Sequence, residues 1–384
     1  MQNNYKTLNG YIEGYYGRLL TWDERDRIVL KLRKNKMNFY LYAPKEDDKH
    51  RLSWKTKYDN LWKNNFKNFC KNAKFNKVQV IVGLSPGLNF DFKDFIEKQK
   101  NNKISHDLNI LKNKILDLLD CGAEEVALLF DDLPNNFKKH YGNLISEGSI
   151  HAHLSNLLSY FIKKPIYVVP RIYADQLIDE DKNYLLDYGK VINENNNTFY
   201  SGKNIVSQKI NRNTLIKISK IIPTKIVIWD NFYANDYCPR RIFLGPLTGR
   251  INVENLMINP TGLIETDLLI LDIIKSTKNS LSPLKDWKEV LRKHKVPSNF
   301  YNISSFFLIP DFENKTSLKN MYITNKSIEN LDFLLWKWKS PLSREWYPFL
   351  LGLKHDLQLY KRELTSDRIT KTQTKPLASY IFKI

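Results

Sequence analysis

Eight short apolar runs, alternating with stretches of helical pattern between Leu8 and Thr277, constrain the fold of this chain more than any other feature. The runs are Tyr11-Ile12, Asn38 to Pro44, Val78 to Leu84, Val126 to Leu129, the segment IYVVPRIY ending at Tyr173, Thr198 to Ser201, the segment KIVIWDN, and Leu256-Met257-Ile258. The sixth is the least patterned, because an Asn-rich stretch precedes it. Near-continuous apolar runs fit strands covered on both faces, as parallel strands are when helices wrap them. Thr21 with Glu24 three places on reads as a capping box opening a helix to about Lys36. Leu108 to Leu119 and Ile264 to Ile274 repeat apolar residues at helical spacing. This rhythm predicts an α/β chain with a (β/α)8 TIM barrel. An open doubly wound sheet is the competitor. It fits less well, because polar groups follow the first, second, fourth, fifth, seventh and eighth strands, a ring rather than one crevice. No GxGxxG turn and no P-loop is present.

Around Lys278 to Pro283 the pattern breaks into Lys, Asn, Ser and Pro. We expect the barrel over residues 1–278 and a smaller C-terminal α-helical domain over 279–384. Its aromatics, Trp336, Trp338, Trp346, Tyr347 and Phe349, are expected as core, with a carbohydrate platform or a homodimer contact as the alternatives. Leu357 to Leu364 continues as a helix.

A chain of 384 residues with 42% hydrophobic content can bury one large core and one small one. The opening MQNNYKTLNG has no apolar leader and no run is long enough to span a bilayer, so the expected location is cytoplasmic, without a membrane partner. Cys70, Cys121 and Cys238 are odd in number and lack metal spacing, consistent with reduced thiols. The net charge of +19 raises a polyanion-binding hypothesis. Lysines are spread over the outer helices and no nucleic-acid motif appears, so nucleic acid is not the expected partner. His151 and His153 lie in a helical pattern without convergent acids, which argues against a metal. His50, beside Arg51, is expected to shape a loop. Neither a GxSxG elbow nor a Cys-His constellation points to a nucleophilic hydrolase.

The chemistry is carried by FDDL, Phe130 to Leu133, directly after a buried strand. In barrels of parallel strands, catalytic groups sit at the C-terminal strand ends. Two adjacent acids could merely cap the next helix. Held together at a site, however, like charges push their pKa values apart, giving one acid that stays ionised and one that carries a proton.

Taken in order, EGYYGR, YAPK with a following acidic pair and HR, SPGL, LLFDDL, VPRIY, WDNFYANDY, FLGPLTGR and INP resemble the catalytic domain of glycoside hydrolase family 84, over roughly Leu8 to Thr277. That family contains protein O-GlcNAcases and bacterial β-N-acetylglucosaminidases. The resemblance implies an exo-acting hydrolase without metal or organic cofactor. In it the sugar's own 2-acetamido oxygen attacks the anomeric carbon, forming an oxazoline with net retention, an exception to the two-carboxylate scheme. It implies Asp131 as the residue that orients the acetamido N–H and Asp132 as general acid and base. It further implies Tyr173 and Asn231 beside the acetamide, Val169 and Trp229 as apolar walls, and Gly14, Lys45, Asp236 and Asn259 at the sugar hydroxyls. Glu46-Asp47-Asp48 and Phe232-Tyr233 depart from the family pattern without touching these roles. The aglycone stays open between glycosylated Ser or Thr, a muropeptide sugar and a short oligosaccharide. A catalytically silent amino-sugar binder with the same pocket is the alternative function.

Overall fold

The computed structural model describes residues 7–142, 145–250, 252–308 and 325–361. Eight strands close into a barrel in chain order, every neighbouring pair parallel. They are β1 (Asn9–Glu13), β2 (Phe39–Tyr42), β3 (Gln79–Leu84), β4 (Glu125–Leu129), β5 (Tyr167–Val169), β6 (Asn197–Tyr200), β7 (Lys225–Asp230) and β8 (Leu256–Ile258). The connecting helices are α1 (Trp22–Lys34), α2 (Asn60–Phe75), α3 (Phe92–Lys100), α4 (His106–Asp120), α5 (Phe137–Tyr141), α6 (Glu147–Ile162), α7 (Tyr184–Val191), α8 (Arg212–Ser219) and α9 (Ile264–Thr277). The expected barrel is therefore present, and the doubly wound alternative is not. β5 is shorter than the apolar segment suggested. It stops at Val169, before Pro170, which has no N–H for a ladder, so Tyr173 lies beyond the strand.

Alternate strand residues fill the barrel interior: Phe39 and Leu41, Ala127 and Leu129, Tyr167 and Val169, Val227 and Trp229 belong to one buried apolar cluster. The residues between them face the helices. Glu13, at the end of β1, is fully buried there, accepting from Arg25 of α1 at 2.8 and 2.9 Å and from the Tyr40 hydroxyl at 2.6 Å. Asp230 of β7 pairs in the same way with buried Arg250, at 2.8 Å. The capping box read at Thr21 and Glu24 closes the N-terminus of α1.

The chain divides into two units, Met1–Asp236 with Pro246–Trp287, and Tyr237–Gly245 with Lys288–Ile384. Continuing the helix count, α10 (Pro283–Lys293) is followed in the second unit by α11 (Asn325–Trp336) and α12 (Pro341–Tyr360). Of the aromatics expected in a helical core, Trp346 and Trp338 are buried, with Trp346 packed on Phe300 at 5.1 Å. Trp336 and Tyr347 are 50% and 39% exposed and meet edge to face, with ring centroids 6.1 Å apart, while Phe349 is half-buried. The expected helix to Leu364 is described as far as Tyr360, and residues 362–364 lie outside the described residues. Among the described residues, no helix is long and apolar enough to cross a membrane, and no group of His, Cys, Asp and Glu is placed to hold a metal ion.

Candidate active site

The period of two that fills the barrel also aims the first aspartate. Leu129 points inward, Phe130 points outward and stacks on His151 at 3.9 Å, and Asp131 is on the interior side again. The Phe130 N–H still donates to the Val169 carbonyl at 2.8 Å, so the ladder holds this geometry to within one residue of Asp131. Asp132 then takes a left-handed backbone, φ 56°, which turns the chain sharply out of the strand direction. Asp tolerates that region better than most residues, though it still stores strain on the order of 1–2 kcal/mol.

Asp131 is buried, and one of its oxygens, Oδ2, accepts from the Lys45 ammonium. Its other oxygen, Oδ1, is buried with no partner among the described residues. Burial alone would raise this carboxyl, but Lys45 beside it, helped by Arg51 and His50, outweighs burial and holds it below the usual carboxylate range. The cause of the ionised state is thus a buried lysine rather than the like-charge repulsion suggested by the Asp-Asp sequence. Asp132 is exposed to the barrel mouth. Its Oδ2 accepts from the Tyr16 hydroxyl at 2.9 Å and its Oδ1 from the Tyr173 hydroxyl at 3.4 Å. Arg51 donates to Tyr16 and, at 3.2 Å, to the Asp132 carbonyl. Burial and then the Asp132 charge push the Tyr16 phenol up to about 12, so Tyr16 remains a donor.

The opposite side of the mouth is a second bonded group. Asn231 Oδ1 accepts from Trp229 Nε1 at 2.9 Å and from Asn259 Nδ2 at 3.0 Å, while Asn259 Oδ1 accepts from the Gly14 N–H at 3.3 Å. One Asn231 amide hydrogen goes to the Ile205 carbonyl at 3.0 Å. Gly14 is required by its neighbour: a Cβ there would stand 2.6 Å from the Trp229 ring. Trp229 and Val169 share the interior apolar cluster, and Tyr173 packs against it. Asp236 Oδ2 accepts from the Tyr16 N–H at 3.0 Å. All ten residues singled out in the sequence therefore gather around one end of the barrel. Sequence reasoning passed over Tyr16 and Arg51, although both lie inside quoted motifs, EGYYGR and the HR after YAPK. His50, expected to shape a loop, donates from Nδ1 to the Gly83 carbonyl at 2.9 Å and is fully buried.

This arrangement can hold one buried carboxylate ionised and present another, exposed one beside it, near an aromatic wall and a set of amides. A family model described as beta-N-acetylglucosaminidase matches residues 9–266. Protein O-GlcNAcase of Mus musculus is 30% identical over 250 residues, which is 63% of this chain and 26% of the mouse protein, and that of Rattus norvegicus matches to the same extent. The chain thus matches about a quarter of the length of these relatives. Among solved structures, a mutant O-GlcNAc hydrolase of Thermobaculum terrenum superposes with a TM-score of 0.73 at 21% identity, over 92% of this chain and 81% of that one, a likeness of fold.

Proposed function

Since the chain belongs to the beta-N-acetylglucosaminidase family, we propose that it is an exo-acting, retaining glycosidase of O-GlcNAcase type that removes terminal β-linked N-acetylglucosamine with the help of the substrate's own acetamide. The observation that carries this reading is the buried, unpartnered Oδ1 of an ionised Asp131. A buried acceptor without a donor is costly, and an acetamido N–H supplies the donor. Holding that N–H directs the acetamide oxygen at C1. As the new C1–O bond forms, the bond from C1 to the aglycone oxygen breaks, and Asp132 gives its proton to that oxygen. Asp132, now a base, takes a proton from water, the water oxygen bonds to C1, and the oxazoline ring reopens with the configuration retained.

The other residues have roles that fit their contacts. Tyr173 and the remaining N–H of Asn231 face the acetamide, Val169 and Trp229 wall the acetyl group and ring, and Gly14, Lys45, Asp236 and Asn259 take the hydroxyls. The substrates in mind are glycosylated Ser or Thr on protein, with glycopeptides and oligosaccharides carrying the same terminal sugar. We place the enzyme in the cytoplasm.

The test is hydrolysis of an aryl β-N-acetylglucosaminide beside the matching aryl β-glucoside, which has no acetamide. The first should be cleaved and the second not. Asp132→Asn should lower kcat roughly 10²–10⁴-fold, the scale of general acid-base catalysis. Saturable sugar binding with turnover no faster than buffer would instead establish a silent binder.

A further inference from the structure

One lysine is out of place. On α4 the buried stripe runs through Leu108, Leu111, Ile115 and Leu118, and Lys114 lies on it, 4% exposed. An ammonium in that position loses its hydration and must be repaid with hydrogen bonds. Lys114 Nζ donates all three of its protons to backbone carbonyls: Lys49 at 2.6 Å, Trp54 at 2.7 Å and Thr56 at 2.8 Å. Tyr58 covers it, with the ring centroid at 4.6 Å. All three carbonyls belong to the loop between β2 and α2. That loop carries Lys45, which pairs with Asp131, and Arg51, which donates to Tyr16 and to the Asp132 carbonyl. The same loop is tied to the segment that follows β3, by the Ser85 N–H to the His50 carbonyl at 3.0 Å and by Asn89 Nδ2 to the Leu52 carbonyl at 2.9 Å.

We propose that Lys114 is a positioning residue for the two catalytic carboxylates: it gathers three carbonyls of one loop so that Lys45 and Arg51 reach Asp131 and Asp132 in register. The ammonium touches no substrate. It acts because a loop of this length has carbonyls that it cannot satisfy itself, and a three-donor cation satisfies three at once. A neutral side chain of the same length cannot do this, so Lys114→Met fills the space and removes only the gathering. The role in catalysis rests on the glycosidase reading above, whereas the effect on the loop does not.

The experiment pairs amide hydrogen exchange with kinetics on the aryl β-N-acetylglucosaminide. In Lys114→Met, exchange of residues 47–56 should rise about tenfold or more while the barrel strands keep their protection. Turnover should fall about 10- to 100-fold, mainly in kcat, the scale expected for a small misplacement of reacting groups. In combination with Arg51→Met the losses should not multiply, because both substitutions remove one mechanism. Multiplying losses, or unchanged kcat, would overturn the catalytic role. Unchanged exchange at 47–56 would overturn the clamp itself. If Lys114→Met does not fold, Lys114→Gln, which keeps two donors, carries the same comparison. A wild-type protein that cleaves nothing would count against the glycosidase reading, and the exchange measurement would still decide whether Lys114 holds the loop.

Discussion

At the scale of single residues, the first acid of the pair, Asp131, is governed by a lysine 86 positions away in sequence. Lys45 opposes the burial that would otherwise raise Asp131. Lys45→Met removes the largest opposition to burial and leaves only Arg51 and His50, so Asp131 should titrate higher and the acid limb of the kcat/KM profile should move toward neutral pH. A limb that stays where it is in wild type would show that Asp131 is not the group setting it. The adjacency of the two acids after an apolar run was legible in the sequence, although the pair alone could equally have capped the next helix. Their environment was not. The Lys45 contact, the Tyr16 and Arg51 contacts to Asp132, and the seat of Lys114 under a loop all join residues far apart in the chain. Spacing along one strand or helix carries no information about them.

At the scale of elements, the strand rhythm was readable because the strands are largely apolar and buried on both sides, whereas most helices bury one face. The boundaries that differ have local causes, as at β5, which Pro170 ends early. What the pattern could not show is which strand-end acids face the mouth. Glu13 and Asp230 both end strands, yet both face outward into buried arginines, because the alternation that sends Ile12 and Trp229 inward sends them the other way. Glu13 locks β1 to α1, and its removal leaves Arg25 buried without a counter-charge. Glu13→Ala should therefore cost roughly 3–5 kcal/mol in urea unfolding. A loss under about 1 kcal/mol would mean that Arg25 finds water or another acceptor.

At the scale of the whole molecule, acid should weaken the fold well before the carboxylates are protonated. Burial, and then Lys45, lower the His50 imidazole from an ordinary 6.5 to about 4, and burial lowers His151 further. Between those pH values the unfolded chain takes up a proton that the folded chain refuses, so stability falls as pH falls from 6.5 toward 4. The His50 share is about 3 kcal/mol by the lower end. Urea midpoints at pH 7 and pH 4.5 measure this, and His50→Gln should flatten the slope; an equally steep slope in the variant would assign it to other groups. The left-handed turn at Asp132 has a broader consequence. Two residues adjacent in the chain would, in a continuing strand, be sent to opposite faces of the sheet, and only one could reach the opening. A single torsion angle brings the second back, so the distance between the two carboxylates is written into the main chain. It should survive replacement of either side chain by its amide.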